Sequence, residues 1–144
     1  MCAVNSCGQY GNRGRCPPGC GTLEECTRQL QGYTHGILVQ PYGEIEDSFD
    51  FEAMMEIGAD HKDHFTEMYE ALREAGAQVL ALGAGCCTQC ARCTYPDEPC
   101  RFPEKMVSSM EAYGMVVLDV CKANGLTYYY GADKMAYTGC FLLK

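Results

Sequence analysis

Apolar residues recur at helical spacing over residues 50–75, in a stretch whose other positions are mostly polar or charged. This pattern predicts a long amphipathic helix. Its apolar set consists of Phe51, Met54, Met55, Phe65, Met68, Tyr69 and Leu72. A short apolar run lies on each side of it, at residues 36–40 and 78–82, and such runs indicate buried strands. Strand, long helix and strand in succession predict a right-handed parallel βαβ unit.

Two shorter helices are predicted on either side of this unit. Thr22 and Glu25 have the spacing of a capping box, which indicates that a helix begins there and runs to about residue 32. A second helix is predicted over residues 104–123, because a proline precedes it and prolines favour the first helical position.

The C-terminal segment predicts two strands, residues 127–130 and 135–143, which flank the turn sequence Gly131-Ala132-Asp133. We expect these strands to pair as a β-hairpin. The whole pattern therefore predicts one mixed α/β (α+β) domain over residues 1–144, with a small central sheet of about four strands covered by helices.

Cysteine is the most informative part of the composition, since 12 of the 144 residues are cysteines. Disulfides would explain this density in a secreted chain. However, the sequence starts with Met1-Cys2-Ala3-Val4 and shows neither the basic nor the apolar segment of a secretory leader. In a reducing cytoplasm, the same density indicates metal or redox chemistry. We therefore expect a cytoplasmic metal-binding protein.

The formal net charge of −8 argues against binding to a nucleic-acid backbone. An acidic surface suits docking to a basic patch on a redox partner protein, and it equally suits plain solubility. We expect no membrane association, because no apolar run in the sequence is long enough to cross a bilayer. The oligomeric state is left open.

The strongest motif is the spacing C-x2-C-x2-C-x6-C, formed by Cys87, Cys90, Cys93 and Cys100 within the loop of residues 86–100. Bacterial ferredoxins hold [4Fe–4S] clusters with similar consecutive steps, although their last interval is shorter. Four thiolates can also hold structural zinc, usually in two well-separated pairs. The consecutive steps therefore favour an iron–sulfur cluster over zinc.

The N-terminal residues 1–26 form a second cysteine-rich loop, in which glycines alternate with cysteines. A loop of this length without its own secondary structure is often built around a ligand. Cys2, Cys7 and Cys16 are three candidate ligands, and the spacing leaves Cys20 and Cys26 open as the fourth. The doublet at residues 86–87 is ambiguous in the same way, because Cys86 could compete with Cys87.

These motifs resemble a family of predicted metal-binding proteins, the domain of unknown function 2284. The resemblance rests on the strings Cys7-Gly8-Gln9-Tyr10-Gly11, Cys16-Pro17-Pro18, Leu23-Glu24-Glu25-Cys26, Ala81-Leu82-Gly83-Ala84-Gly85, Pro99-Cys100-Arg101-Phe102-Pro103-Glu104-Lys105 and Ser109-Met110-Glu111-Ala112-Tyr113-Gly114. It covers nearly the whole chain and implies metal or iron–sulfur binding, without a settled activity.

The resemblance also implies two ligand sets. They are Cys2, Cys7, Cys16 and Cys26, and Cys87, Cys90, Cys93 and Cys100. The chain departs from the family pattern at two positions. Gly14 stands where an aromatic residue often precedes the Cys-Pro-Pro cysteine, and Cys86 stands where a proline commonly precedes Cys87.

The resulting hypothesis is an iron–sulfur protein of an anaerobe that carries two [4Fe–4S] clusters and exchanges single electrons with a redox partner. One alternative is an enzyme in which a cluster has only three protein ligands, so that its open iron binds substrate. Another is an interaction module stapled by zinc.

Several other residues receive structural interpretations. His61 and His64 are more typical of a solvated helix face than of a metal site. The basic residues Arg92, Arg101 and Lys105, near the second loop, are interpreted as solvated charges. Finally, Cys121 and Cys140 are predicted to be small buried hydrophobes.

Overall fold

The computed structural model describes residues 1–85 and 87–144, and it confirms the mixed α/β fold class. The described α-helices are α1 (Leu23–Leu30), α2 (Phe51–Glu74) and α3 (Val117–Ala123). The described strands are β1 (His35–Val39), β2 (Tyr42–Glu44), β3 (Val79–Gly83), β4 (Ser108–Ser109), β5 (Lys134–Ala136) and β6 (Gly139–Leu143). Short 3-10 turns lie at Cys2–Val4, Pro103–Lys105 and Glu111–Tyr113.

The main sheet has the order β1-β6-β3-β4, and β2 pairs with β5 in a separate two-stranded sheet. β1 and β3 both run antiparallel to β6, so they are parallel to each other, as predicted, but are not neighbours. The predicted βαβ unit therefore exists with the C-terminal strand inserted between its two strands. β4 extends the sheet by pairing in parallel with β3, at Leu82 and Gly83.

The predicted C-terminal hairpin is wrong. Residues 127–130 form no strand, and the predicted strand at residues 135–143 is divided into β5 and β6. β5 pairs with β2, while β6 pairs with β1 and β3. The physical reason is burial. Phe141 of β6, which lies between β1 and β3, is 0% exposed, and a two-stranded hairpin would leave this ring in water.

The predicted helix over residues 104–123 is reduced to its last part, α3. The segment before it forms the two later 3-10 turns with β4 between them. Gly114 has a left-handed φ of 79°, and an added Cβ there would lie 2.6 Å from Leu23 Cδ1. This conformation interrupts a helix, and it lets Met110 and Tyr113 be buried from a turn instead.

The other predicted helices are confirmed. The capping box of α1 is complete, since Thr22 N donates to Glu25 Oε2 at 2.7 Å and Glu25 N donates to Thr22 Oγ1 at 3.2 Å. α2 starts at the Asp50 cap and continues through Gly58 without a break. A Cβ at Gly58 would lie 3.0 Å from the Tyr137 hydroxyl, so this glycine permits a close contact.

The sheet separates two clusters of buried side chains. Leu82 and Cys140 face one side together with Cys26 of α1, and Ala81 and Phe141 face the other side with Phe65 of α2. Because side chains alternate along a strand, adjacent residues of β3 and β6 serve opposite clusters. In addition, no helix in the described part of the chain is long and apolar enough to cross a membrane.

Candidate metal centres

The second cysteine loop begins directly after β3, at the carboxyl end of that strand, as the sequence predicts. This edge is where open α/β sheets usually place their chemistry. Cys87, Cys90, Cys93 and Cys100 together line one cavity of about 20 Å³. The tertiary structure therefore brings all four of these predicted ligands to one place.

Cys93 has the environment most favourable to a thiolate in this cavity. The backbone N–H groups of Gly14 and Tyr95 donate to its sulfur and lower the pKa of the thiol, and the guanidinium groups of Arg13 and Arg101 lower it further. Both arginines also line the cavity. N–H donors and positive charges are the features that stabilise sulfur ligands of metal centres.

Residues 13–15 of the N-terminal loop join the two cysteine loops. Arg13 Nη1 donates to the carbonyl of Cys87 at 3.3 Å, and Arg15 Nη2 donates to the carbonyl of Gly85 at 3.0 Å. A Cβ on Gly14 would lie 3.6 Å from Tyr95 Cβ, so the Tyr95 side chain packs beside this glycine. An aromatic side chain from the second loop thus lies beside the position where the family often has one.

The first predicted set is gathered only in part. Cys2, Cys7 and Cys16 line a larger cavity of about 480 Å³, together with Glu111 of the third 3-10 turn. Cys2 Sγ donates to the carbonyl of Glu111 at 3.5 Å. Burial raises the pKa of the Cys2 thiol, and the carboxylate of Glu111 raises it further.

Cys26, the fourth member of that set, lies in the core rather than on this cavity. Its side chain is 1% exposed, and its Sγ lies 3.7 Å from the carbonyl oxygen of Cys20. Burial is the main cause that raises the pKa of Cys20 to about 12, and the neighbouring Cys26 thiol adds to this effect. Burial also raises the pKa of Cys26. The Cys16 thiol is a smaller cause of the raised pKa of Cys20.

Two of the remaining cysteines lie in the core, and the third lies outside the described residues. Cys121 is 0% and Cys140 3% exposed, which agrees with their predicted role as small buried hydrophobes. Cys86 lies outside the described residues, so its competition with Cys87 stays a prediction. The eleven described cysteines are all free thiols.

The two histidines do not share one environment, and the expectation of a solvated face is wrong for His61. This residue is 2% exposed and stacks on Tyr137, with ring centroids 5.7 Å apart. Burial lowers its pKa. His64 is exposed, and its Nδ1 bonds the carbonyl of Asp60 at 2.9 Å.

Two of the three predicted basic residues, Arg92 and Arg101, are in contact, and Lys105 lies apart from them. Arg101 lines the second cysteine cavity and donates to the carbonyl of Arg92, whereas Lys105 lines a different cavity beside Arg15. The arginines that do contact both loops, Arg13 and Arg15, were not singled out in the sequence. Their only signal was a positive charge on each side of Gly14 within a cysteine loop.

The donor chemistry of the second set fits an iron–sulfur cluster. Four thiols face one cavity, and two guanidinium groups there can balance an anionic cluster. The first set fits in part, with three thiols on one cavity. Across residues 1–85 and 87–144, no group of three or more His, Cys, Asp or Glu side chains is arranged to hold a single metal ion.

The chain is a mixed α/β domain whose two cysteine loops contact each other through Arg13 and Arg15. It belongs to the class of cysteine-rich, predicted metal-binding proteins. A family profile described as "Predicted metal-binding protein (DUF2284)" matches residues 1–143, and the chain therefore belongs to this family. The resemblance seen in the sequence is thus confirmed. No curated protein and no solved structure showed a significant match to the chain.

Proposed function

We propose that this protein binds two [4Fe–4S] clusters and carries single electrons for a redox partner protein. The observation that supports it most is the common cavity of Cys87, Cys90, Cys93 and Cys100, which Arg13 and Arg101 also line. Four thiolates would leave no iron position open, which favours electron transfer over substrate chemistry.

In this proposal the chain itself supplies binding, charge balance and tuning. The N–H groups of Gly14 and Tyr95 donate to the Cys93 sulfur, and such bonds set the potential of a sulfur-bound centre. When bound, the cluster would accept and release one electron at a time. Arg13 ties its loop to Cys87 and keeps this positive charge beside the second set.

The first set is proposed from the family pattern together with the cavity that Cys2, Cys7 and Cys16 share. Cys26 is its proposed fourth ligand. Its buried thiol, whose Sγ lies 3.7 Å from the carbonyl oxygen of Cys20, would have to turn out of the core when the site is filled.

The negative net charge supports docking to a basic patch on the partner. We include a reducing cytoplasm in the proposal, because free thiols stay available to metal there. An electron carrier with an acidic surface should exchange electrons more slowly as salt screens the encounter.

Metal analysis tests the proposal directly. Protein purified without oxygen is expected to contain about eight iron and about eight acid-labile sulfide atoms per chain, for two [4Fe–4S] clusters. Zinc without sulfide would instead support the zinc-stapled module and contradict the proposal. Iron with sulfide at about half this level would indicate that only one set holds a cluster.

The second candidate function is an enzyme with an open iron site at the first set. It is favoured by the cavity of about 480 Å³ beside Cys2, Cys7 and Cys16, because small-molecule sites have volumes of this order. Cyanide, a small ligand of iron, distinguishes the two functions. A cyanide-dependent change in the electron paramagnetic resonance spectrum would favour the enzyme, and an unchanged spectrum the electron carrier.

A further inference from the structure

Arg15 is a buried cation whose charge is not matched by a carboxylate in the described part of the chain. The residue is 6% exposed, and its Nη2 donates to the carbonyl of Gly85 at 3.0 Å. Its Nε is buried and has no hydrogen-bond partner among residues 1–85 and 87–144. An unpaired hydrogen-bond donor in the interior is costly. A buried arginine of this kind therefore indicates a missing anionic partner.

Arg15 lines a cavity of about 50 Å³ at the end of β3, between α2 and the second cysteine loop. Lys62 of α2 and Lys105 line the same cavity, and none of its described lining residues is an aspartate or glutamate. Neither lysine forms an ion pair within residues 1–85 and 87–144. Three basic residues thus line one small cavity in a protein whose net charge is −8.

The size and lining of the cavity define the ligand class. A volume of about 50 Å³ holds about four water molecules, which is also the size of one small oxyanion. Phe65 and Val107 form an apolar part of the wall, which limits hydration of the charges and strengthens their attraction for an anion. A guanidinium group with free donors matches the oxygen atoms of phosphate or of a carboxylate.

We propose that Arg15, Lys62 and Lys105 form a binding site for a small oxyanion, either a phosphate group or a carboxylate. The three cations belong to neither cysteine set, but the cavity borders the second set, because Cys87 lines both cavities. Its anion would join the N-terminal loop, α2 and the 3-10 turn Pro103–Lys105, because Arg15, Lys62 and Lys105 each come from one of these segments. The inference does not depend on which metal the cysteines hold.

Calorimetric titration of the full-length, metal-loaded protein tests this site, with inorganic phosphate and acetate in separate experiments. Saturable binding of either anion at one site per chain supports the proposal. The anion that binds shows whether the site takes a phosphate group or a carboxylate. Lys62→Met should weaken this binding by about tenfold, which is the loss of one charge-assisted hydrogen bond. Lys105→Met should weaken it too.

Lys122→Met is the matched control, because Lys122 is an exposed lysine of α3 and does not line the cavity. Its affinity is expected to equal that of the unaltered protein. Arg15→Met should abolish binding but is also expected to disturb the loops, so Lys62→Met decides the question. Iron and sulfide are measured in every variant to detect any indirect effect through the cysteine sets.

Two results would overturn the proposal. One is the absence of saturable binding for both anions. The other is an equal loss of affinity in Lys62→Met and Lys122→Met, which would mean that the anions respond only to overall charge.

Discussion

The two cysteine sets differ in how their thiols are brought together. Cys87, Cys90, Cys93 and Cys100 come from one short loop and share one small cavity. Three members of the other set line a cavity more than twenty times larger, about 480 Å³ against about 20 Å³, and the fourth lies in the core. Ligands close in sequence need little loop closure, whereas distant ligands depend on the packing of the segments between them.

The pKa values of the thiols also differ between the two sets. N–H donors and arginines lower the pKa of Cys93, while burial raises the pKa values of Cys2, Cys20 and Cys26. Similar sets of thiols can therefore differ in their surroundings. All four cysteines of the second set line one cavity, whereas Cys26 of the first set lies in the core, away from the cavity of Cys2, Cys7 and Cys16.

The largest expected effect is loss of the second centre. Cys93→Ala should remove about half of the bound iron and sulfide, since one of two proposed clusters would lose a ligand. Elemental analysis of anaerobically purified protein measures this loss.

The control for this variant is Cys140→Ala, which alters a buried cysteine outside both sets. It is expected to lower stability by about 1 kcal/mol through lost packing and to keep the metal content. If Cys140→Ala lost as much iron as Cys93→Ala, the assignment of the second set would be wrong.

The next prediction concerns the first set and tests whether Cys20 or Cys26 is its fourth ligand. Cys26→Ala should lose the metal of this set, and Cys20→Ala should retain most of it, if the family pattern assigns the ligands correctly. Iron content and visible absorption of the two variants are compared in a Cys93→Ala background, so that only the first set contributes. The reverse result would assign Cys20 instead.

A smaller effect is expected from the contact that holds the N-terminal loop together. A Cβ at Gly19 would lie 2.8 Å from Gly14 Cα and 2.9 Å from the carbonyl oxygen of Arg13, both of them backbone atoms. Gly19→Ala should therefore lower the free energy of unfolding by about 1–3 kcal/mol through overpacking. Denaturant titration with a fluorescence readout measures the change.

Gly14→Ala is the matched control, because its Cβ would meet only Tyr95 at an ordinary 3.6 Å. We expect its stability to stay within about 0.5 kcal/mol of the unaltered protein. Equal destabilisation by the two substitutions would show that the loop crossing at residues 13–19 is not the constraint.

The smallest effect is a pH dependence that arises at His61, which lines the same cavity as Arg15 and Cys87. Burial lowers the pKa of His61 below the ordinary 6.5, so the unfolded chain takes up this proton at a higher pH than the folded protein. Stability should therefore be fully present above pH 6.5 and decline as the pH falls from there towards the folded pKa.

Thermal unfolding between pH 5 and 8 measures this dependence. His61→Phe, which keeps a ring against Tyr137, should reduce the decline. His64→Gln alters an exposed histidine of the same helix and should leave the decline unchanged. A decline of the same size in His61→Phe would assign it to other groups.

Local chemistry determined much of what the sequence predicts correctly. The capping box of Thr22 and Glu25 fixed the start of α1, and the apolar periodicity fixed α2. The consecutive two-residue steps of the second loop predicted thiols that the structure does bring together. In each case the interacting residues lie within a few turns or steps of one another, so a local pattern is sufficient.

The tertiary structure alone decided the pairing of the strands and the relation between the cysteine loops. β6 enters the centre of the sheet because it can bury Phe141 on one face and Cys140 on the other, a gain that depends on strands about 60 and 100 residues away in sequence. Likewise, the contacts of Arg13 and Arg15 with residues 85 and 87 span 70 residues or more. The sequence by itself determined which residues have ligand chemistry, and long-range packing determined which of them share a cavity, because burial rewards contacts that no local pattern contains.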